Sequence, residues 1–430
     1  MNETKNDNAW NKIFAQYDII EEVQDNGQYI ISAKDIKEFR EPRLMVKFDQ
    51  ITSKPKKFKE NHLSILPISR REYIISNFDS HHKLESKIHN TMNVEFPNCV
   101  ESIDINNIYS ESIALNSASA IGIISDFFDV NKNELIATVN GKKGSGKFDF
   151  KVDRKTGDEL NVKVSNSQIE VDGAWESWDF LSLFEAKLDF MDDFIIRQLY
   201  YPFRTFEQIV NKEIRNVFFI YSNNQFSLYE YFFDDKFDYN SIKLTKQSHY
   251  SLYDGEVELE DVTGVYESIN MVSEPKTPFP QANSFGRVIS LCEHLKSEKL
   301  NKQQIAEKYS FDERQSDYYT NAGIYLDLIK KENINRVAFF SLTETGEKIF
   351  NLFYKEKQLE LVKCILKHEV FYKVFKEYVK TGEMPSKHVI VDYMYKSNLY
   401  NIESPDTFER RSSTISGWIK WILNLTESEI

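Results

Sequence analysis

A chain of 430 residues, 41% hydrophobic and 14% aromatic, can bury several cores, so a disordered or fibrous protein is excluded and about two to four domains are expected. No apolar run approaches the roughly 20 residues of a membrane span, and the start MNETKNDNAW lacks the basic and apolar regions of a signal peptide, so a cytoplasmic protein is expected. The net charge of −13 is uneven: 15 Lys/Arg against 14 Asp/Glu in residues 1–90, 17 against 32 in residues 91–284, and 22 against 21 in residues 285–430. The acidic middle suits a metal site, while the balanced flanks stay free to touch phosphate. Cys99, Cys292 and Cys364 form no C-x-x-C pair, which argues against disulfides and structural zinc.

In the first segment, residues 1–90, YDIIEEVQDNGQYIISA reads as two β-prone runs around Asn26-Gly27, a hairpin signal. Ser32 then caps a short helix in AKDIKEF. The run KPKKFK places Lys54, Lys56, Lys57 and Lys59 close together, a charged loop or a track for a phosphate backbone. A small α+β domain is expected, with DNA binding or dimerisation as its role.

The second segment, residues 91–272, opens with SESIALNSASAIGIISDFF, a helical stripe capped by Ser110. TVNGKKGSGKFDF follows and resembles G-x-x-x-x-G-K-[ST], but Phe148 stands where Mg²⁺ needs a hydroxyl, and FDFKVDR alternates as a strand where the motif needs a helix. A glycine-rich hairpin is expected there, with Lys142, Lys143 and Lys147 at its tip. ELIATV, FDFKVDR, SQIEVDG and LSLFEAKL read as strands. MDDFIIRQLYYPFRTFEQIVNK reads as an amphipathic helix with Pro202 at a kink or boundary, and RNVFFIYSN as a buried strand. This is an α/β plan.

Residues 273–284, SEPKTPFPQANS, read as a proline-rich linker. In residues 285–352, three helical runs and the wing-like NRVAFFSLTETG have the layout of a winged helix-turn-helix. In residues 353–430, SKHVIVDYMYKS and SPDTFERRSSTISGWIKWIL suggest a second such module, with Ser404 as N-cap and Pro405 at the first helical position. Gly323 and Gly417 fall midway along the two candidate recognition helices, as in a diverged repeat. Arg314, Gln315 and Asn321 on one helix, and Arg410 and Arg411 on the other, are residue types that read base edges, or else line a solvated face.

The chemistry concentrates in QIEVDGAWESWDFLSLFEAKLDF. In a strand Glu185 and Lys187 project to one face, and Asp172 ends the preceding strand. If the two strands are neighbours, Asp172 and Glu185 converge to hold a hard divalent cation with Lys187 beside them, a set suited to phosphodiester hydrolysis. A salt bridge is the alternative for such a pair, but Leu183 and Phe184 make this strand apolar, where unpaired charge is costly. Farther on, Arg197, Tyr201 and Arg204 share a helix face and either clamp a phosphate or pair with Asp192, Asp193 or Glu207.

Asp172, Glu185 and Lys187 between a preceding helix and a following helix and strand resemble the PD-(D/E)XK nuclease superfamily. IEVDG…EAK…DFIIRQLYYPFR with the later FDERQSDYYTNAG resembles bacterial type II restriction endonucleases over roughly residues 105–350. That resemblance implies an α/β core of mixed sheet flanked by helices and Mg²⁺ held by Asp172, Glu185 and the Ala186 carbonyl, with Lys187 positioning water. Glu111 or Glu170 would be a further carboxylate. Val171 departs from the family pattern, which has Pro there. The expected function is Mg²⁺-dependent, sequence-specific cleavage of double-stranded DNA by a homodimer, with a DNA methyltransferase as genetic partner. A non-catalytic DNA-binding regulator on a nuclease-like fold and a structure-specific repair nuclease are the rival readings.

Overall fold

The computed structural model describes residues 4–84, 91–252, 256–309, 313–397, 399–400, 402 and 404–426; at 307, 309, 313 and 314 only the backbone is described. The chain is α/β, with a large mixed sheet and many helices. It divides into two compact units, Met1–Ser86 with Cys99–Tyr221 and Ser227–Ser248, and Lys87–Asn98 with Ser222–Phe226 and His249–Ile430. Among the described residues no helix is long and apolar enough to cross a membrane.

The first unit begins with helix Lys5–Gln16, closed by a reciprocal Thr4/Asp7 capping box. It packs Trp10, Ile13 and Phe14 with Phe58 and Ile75 over a three-stranded antiparallel sheet of Tyr29–Ser32, Glu72–Ser76 and Ser64–Pro67, in that order. Asn26-Gly27 does not turn a hairpin. Ile19–Asn26 is a helix, and Gly27, at φ 75°, ends it in the left-handed conformation. A primed hairpin turn and a helix C-cap both demand positive φ, so the dipeptide alone does not choose between them. Ser32 does cap Ala33–Lys37, accepting from Asp35 N. The lysine run is not an open track: Lys54 bonds Ser64 Oγ, and burial pushes its pKa down to about 8. Lys56 pairs with Glu60, and Lys59 reaches Thr52 O.

The large mixed sheet runs in the order Thr91–Val94, Ile242–Leu252, Gln225–Phe233, Glu213–Ser222, Phe180–Lys187, Gly173–Glu176, Ile136–Ala137. Phe180–Lys187 lies centrally, parallel to Glu213–Ser222 and antiparallel to Gly173–Glu176. Its side chains alternate. Leu181 and Leu183 enter a core with Leu199 and Tyr200 of helix Arg197–Phe206, while Phe180 and Phe184 meet Phe128 and Trp175 on the other face. Helix Glu111–Ile121 starts at Ser110, whose hydroxyl accepts from Ile113 N, and breaks at Gly122. Gly141–Gly144 and Lys147–Asp153 are both strands, so no helix follows the glycine loop. They do not pair as one hairpin: Gly141–Gly144 pairs with Gln168–Val171, and Lys147–Asp153 with Glu159–Ser165. The expected helix from residue 191 begins only at Arg197 and contains Pro202. Upstream, Asp193–Ile195 is a strand paired with His81–Lys83, an edge that sequence periodicity cannot see.

In the second unit, helices Phe285–Ser297, Lys302–Tyr309 and Glu313–Tyr325 precede a hairpin of Ile329–Ile334 and Val337–Leu342, which turns on Asn335 and Arg336 at positive φ. Leu300–Asn301 adds a third strand beside Val337–Leu342. Residues 310–312, which include the first two of FDERQSDYYTNAG, lie outside the described residues. The proline-rich stretch is packed rather than free: Phe279 and Ala282 are buried in the core, and Trp418 Nε1 donates to Ala282 O at 2.7 Å. Pro405 opens helix Pro405–Asn424 as expected, with Ser404 at its N-cap position.

Gly417 of that helix passes so close to residue 283 that an added Cβ would lie 2.2 Å from Asn283 O, whereas Gly264, in helix Leu259–Glu267, faces open space. Gly417→Ala is therefore expected to lower unfolding free energy by about 1–3 kcal/mol through overpacking. Gly264→Ala should raise it by about 0.5–1 kcal/mol through helix propensity. Urea denaturation of both variants checks the pair, and equal effects would contradict the packing.

Candidate active site

The strand Gly173–Glu176 is in antiparallel register with Phe180–Lys187 from Gly173 opposite Phe184, and Asp172 is the bend just before it. The bend sets Asp172 beside the strand that carries Glu185, and the two carboxylates act on one another. Asp172 Oδ2 accepts the Ala186 N–H at 2.8 Å, and Asp172 N donates to Phe184 O at 3.2 Å, which pins the bend before Gly173. Lys187, two residues beyond Glu185, returns to the same face and its Nζ lies 2.5 Å from Glu185 Oε1. Gln198 of helix Arg197–Phe206 donates Nε2 to that same oxygen at 2.7 Å. Its own Oε1 is buried without a hydrogen-bond partner among the described residues.

Burial pushes the Glu185 carboxyl up to about 7, against the pull of Lys187. Burial also raises Asp172, against the Ala186 N–H and Lys187, and raises Glu111, against Lys187. Burial opposes the Lys187 ammonium, but Glu185, Asp49, Glu111 and Asp172 together outweigh it and hold its pKa far above the ordinary lysine value. Four carboxylates thus act on one buried cation. Glu111, in the first turn of helix Glu111–Ile121, belongs to this field. Glu170 does not join it as a close neighbour: it is exposed and sits across the strand pair from Lys142, with which it pairs at 4.0 Å. Asp49 escaped the sequence reading because nothing local marks KFDQ as lying near residue 187. Gln198 falls beside Glu185 because its helix packs on the strand.

Two of the three residues on the expected phosphate clamp are buried. Tyr201 is 0% exposed and donates its hydroxyl to Pro67 O at 3.0 Å. Arg204 is 3% exposed, with Nη1 bonded to Asp149 O, Tyr200 Oη and Lys236 O and the guanidinium beside Glu207. Their donors serve the core, so both are removed from the DNA-contacting set. Arg197 is half-buried and makes no side-chain hydrogen bond or ion pair among the described residues. In the second unit Gln315 and Asn321 are half-buried on helix Glu313–Tyr325, and the Arg314 side chain is outside the described residues. Arg410 is exposed and braced on Asp406 O and Thr407 Oγ1. Arg411 carries two buried N–H groups, Nε and Nη1, without partners among the described residues.

Among the described residues no group of three His, Cys, Asp or Glu side chains is arranged to hold one metal ion. A two-carboxylate site is what the geometry offers. Asp172 Oδ1 and Glu185 Oε2 accept no hydrogen bond from a described residue, and the orphaned Gln198 Oε1 adds a third available oxygen. An all-oxygen donor set with few protein ligands fits Mg²⁺, which usually keeps several waters. Beside Asp172 a cleft of about 210 Å³ is lined by Ser112, Asn116, Thr138, Asn140 and Trp175 among others.

Three domain models match the chain, each described as a domain of unknown function: DUF6996 over residues 7–75, DUF6997 over residues 76–251 and DUF7226 over residues 287–427. No curated protein and no solved structure matches. Glu111, Asp172, Glu185, Lys187 and Gln198 all fall in the DUF6997 stretch, and Asp49 in the DUF6996 stretch.

Because Glu185 ionises near 4.5 when unfolded and near 7 when folded, the metal-free protein binds more protons in the folded state over that window. Stability is therefore lost as pH rises from about 4.5 to about 7. Relative to Glu185→Gln, the wild type should lose on the order of 3 kcal/mol across it. Lys187, with its raised pKa, contributes a constant term there. Urea denaturation in EDTA at several pH values tests this, and parallel profiles for the two proteins would contradict it.

Proposed function

We propose that this chain is a Mg²⁺-dependent, sequence-specific endonuclease of double-stranded DNA, of the type II restriction kind, built on a PD-(D/E)XK core. The observation that carries the reading is the buried grouping of Asp172, at the bend before one central strand, with Glu185 of the next and Lys187 bonded to Glu185. A structural ion pair would need one carboxylate. Here Glu111 and Asp49 add to the field, and strongly perturbed groups gathered at one place are a mark of function.

Asp172, Glu185 and the Ala186 carbonyl would hold Mg²⁺, which when bound polarises the phosphoryl group and lowers the pKa of water. Lys187, kept protonated by its carboxylates, accepts no proton at neutral pH. Its part is to donate a hydrogen bond to the attacking water or a phosphoryl oxygen and to offset the charge that develops there. Gln198 holds Glu185 in place and offers Oε1 to the water's proton. Arg197, on the same helix, is the remaining contact to a flanking phosphate.

Helix, short strand, two helices and hairpin in residues 285–342 follow the order of a winged helix-turn-helix, which supports a site-finding role for the second unit. Arg314, Gln315, Asn321, Arg410 and Arg411 are its proposed reading residues. Arg411 is favoured because two of its buried N–H groups have no hydrogen-bond partner among the described residues, a partner that a phosphate or base edge supplies. The protein is proposed to act as a homodimer in a bacterial cytoplasm alongside a cognate methyltransferase.

Glu185→Ala and Lys187→Ala are each expected to lower cleavage at least about 100-fold while DNA affinity changes only a few-fold, because both serve the scissile phosphate. Paired cleavage and gel-shift titrations on one substrate decide it, and wild-type cleavage by either variant would sink the assignment. Arg411→Ala should weaken binding and, if its contact is to a phosphate, reduce the slope of log affinity against log salt by about one unit. Unchanged affinity at every salt concentration would remove Arg411 from the interface.

A further inference from the structure

We propose that exposed cations gathered where three strand pairs end, Arg70 and Arg71 with Lys142, Lys143 and Lys147, form one surface along which the backbone of double-stranded DNA approaches Asp172. The inference rests on the reading that DNA is the ligand, and not on its cleavage.

The surface is assembled from segments far apart in the chain. Arg70 and Arg71 lie in the turn between Ser64–Pro67 and Glu72–Ser76, which Ile68 N and Ser69 N close by donating to Glu72 O at 3.0 and 3.2 Å. Ser165 N donates to Ile68 O at 2.8 Å, and Ser165 stands opposite Lys147 in the pair of Lys147–Asp153 with Glu159–Ser165. Asn166 N donates to Gly146 O at 2.7 Å and Ser145 N to Ser167 O at 2.8 Å, which brings in the pair of Gly141–Gly144 with Gln168–Val171. Gly144 leaves room for Arg70, whose Nη2 lies 3.6 Å from the point a Cβ would occupy. Helix Arg197–Phe206 braces the assembly: Tyr201 bonds Pro67 O, just before the turn, and Thr205 Oγ1 donates to Ser145 O at 3.2 Å. Lys143 Nζ lies 5.0 Å from the centre of the Phe206 ring on the same helix.

All five cations are exposed. Lys142 pairs with Glu170 at 4.0 Å, while Arg70, Arg71, Lys143 and Lys147 have no ion pair among the described residues. Glu72, the other carboxylate at this place, accepts from Ser69 Oγ, and Asp149, farther along its strand, lies opposite Lys163. The local balance is thus the reverse of residues 91–284 as a whole, which carry 17 Lys/Arg against 32 Asp/Glu. A basic patch attracts a polyanion whatever the total charge. None of the large hydrophobic side chains exposed among the described residues belongs to residues 64–76 or 141–171, so the surface lacks the apolar groups that enter a lipid interface. Direction comes from Gln168–Val171, which leads from the position opposite Gly144 into Asp172. Those four steps span about 13 Å at ~3.3 Å per residue, the axial length over which one DNA strand carries about four phosphates.

Two full-chain proteins test the surface: the combined variant of Arg70→Gln, Arg71→Gln, Lys143→Gln and Lys147→Gln, and the single variant Glu170→Gln. Fluorescence anisotropy in EDTA with a mixed-sequence DNA duplex, over a salt series, reads binding, and cleavage is read separately in Mg²⁺. The combined variant should bind at least about 100-fold more weakly at low salt, and the slope of log affinity against log salt should fall by about three to four units. Glu170→Gln, which frees Lys142, should tighten binding a few-fold, a gain that a folding defect cannot produce. If the wild type binds and cuts DNA while the combined variant keeps wild-type affinity and slope, the surface falls and the nuclease reading stands. If the wild type binds the duplex with the expected losses in the variant but cuts nothing, the nuclease reading falls and the surface stands. A wild type that binds no DNA overturns both. Binding to phosphatidylserine vesicles as tight as to the duplex, with the same loss in the combined variant, would overturn the assignment to DNA.

Discussion

Two carboxylates buried beside one another at the centre of a sheet are an expensive thing to fold around. Asp172 is the bend before strand Gly173–Glu176, Glu185 lies within the apolar strand Phe180–Lys187, and Lys187 is the cation bonded to Glu185. Burying like charges in low dielectric costs several kcal/mol unless a cation compensates them, and hydrophobic replacements of the same size would fold as well or better. Much of the first unit is arranged to tolerate the cost. The bend at Asp172 hands one oxygen to the Ala186 N–H, helix Arg197–Phe206 brings Gln198 to Glu185, and helix Glu111–Ile121 and residues 48–51 add carboxylates that keep Lys187 charged.

That arrangement also ranks the neighbours. Arg204 and Tyr201 lie on the helix that carries Gln198, yet their polar atoms are spent on backbone carbonyls of the core, and they hold the helix rather than serve the site. A helix of ten residues thus presents one functional amide and, three and six residues later, two structural anchors. The cleft beside Asp172 lies between helix Glu111–Ile121 and the loop around Thr138, and Leu115 and Trp175 also line it.

The central strand and its charged face were legible in the sequence because period-two alternation fixes which residues share a face, and the apolar flank of LSLFEAK makes a charge conspicuous. The Ser110 and Ser32 caps were legible for a similarly local reason, since a hydroxyl before a helix bonds only a few residues ahead. Phe148 was enough to set aside a phosphate loop. What stayed hidden depends on partners distant in the chain. Gly27 satisfies a helix end and a hairpin turn alike, and Lys54 looks exposed until Ser64 is placed beside it. Residues 193–195 read as helix until His81–Lys83 offers them an edge. The glycine loop kept its strands but exchanged their partners, because register between strands is set by faces outside the loop.

The central claim is that this carboxylate pair exists to hold a cation at a DNA phosphate. Incubating the full-length protein with phage and plasmid DNA in Mg²⁺, in EDTA, and as Glu185→Ala tests it most directly. The account predicts discrete, reproducible fragments from the wild type in Mg²⁺ and intact DNA in the other two conditions. Intact DNA in all three, on varied unmethylated substrates and with Mn²⁺ as well as Mg²⁺, would contradict it, as would identical fragments from the Glu185→Ala protein.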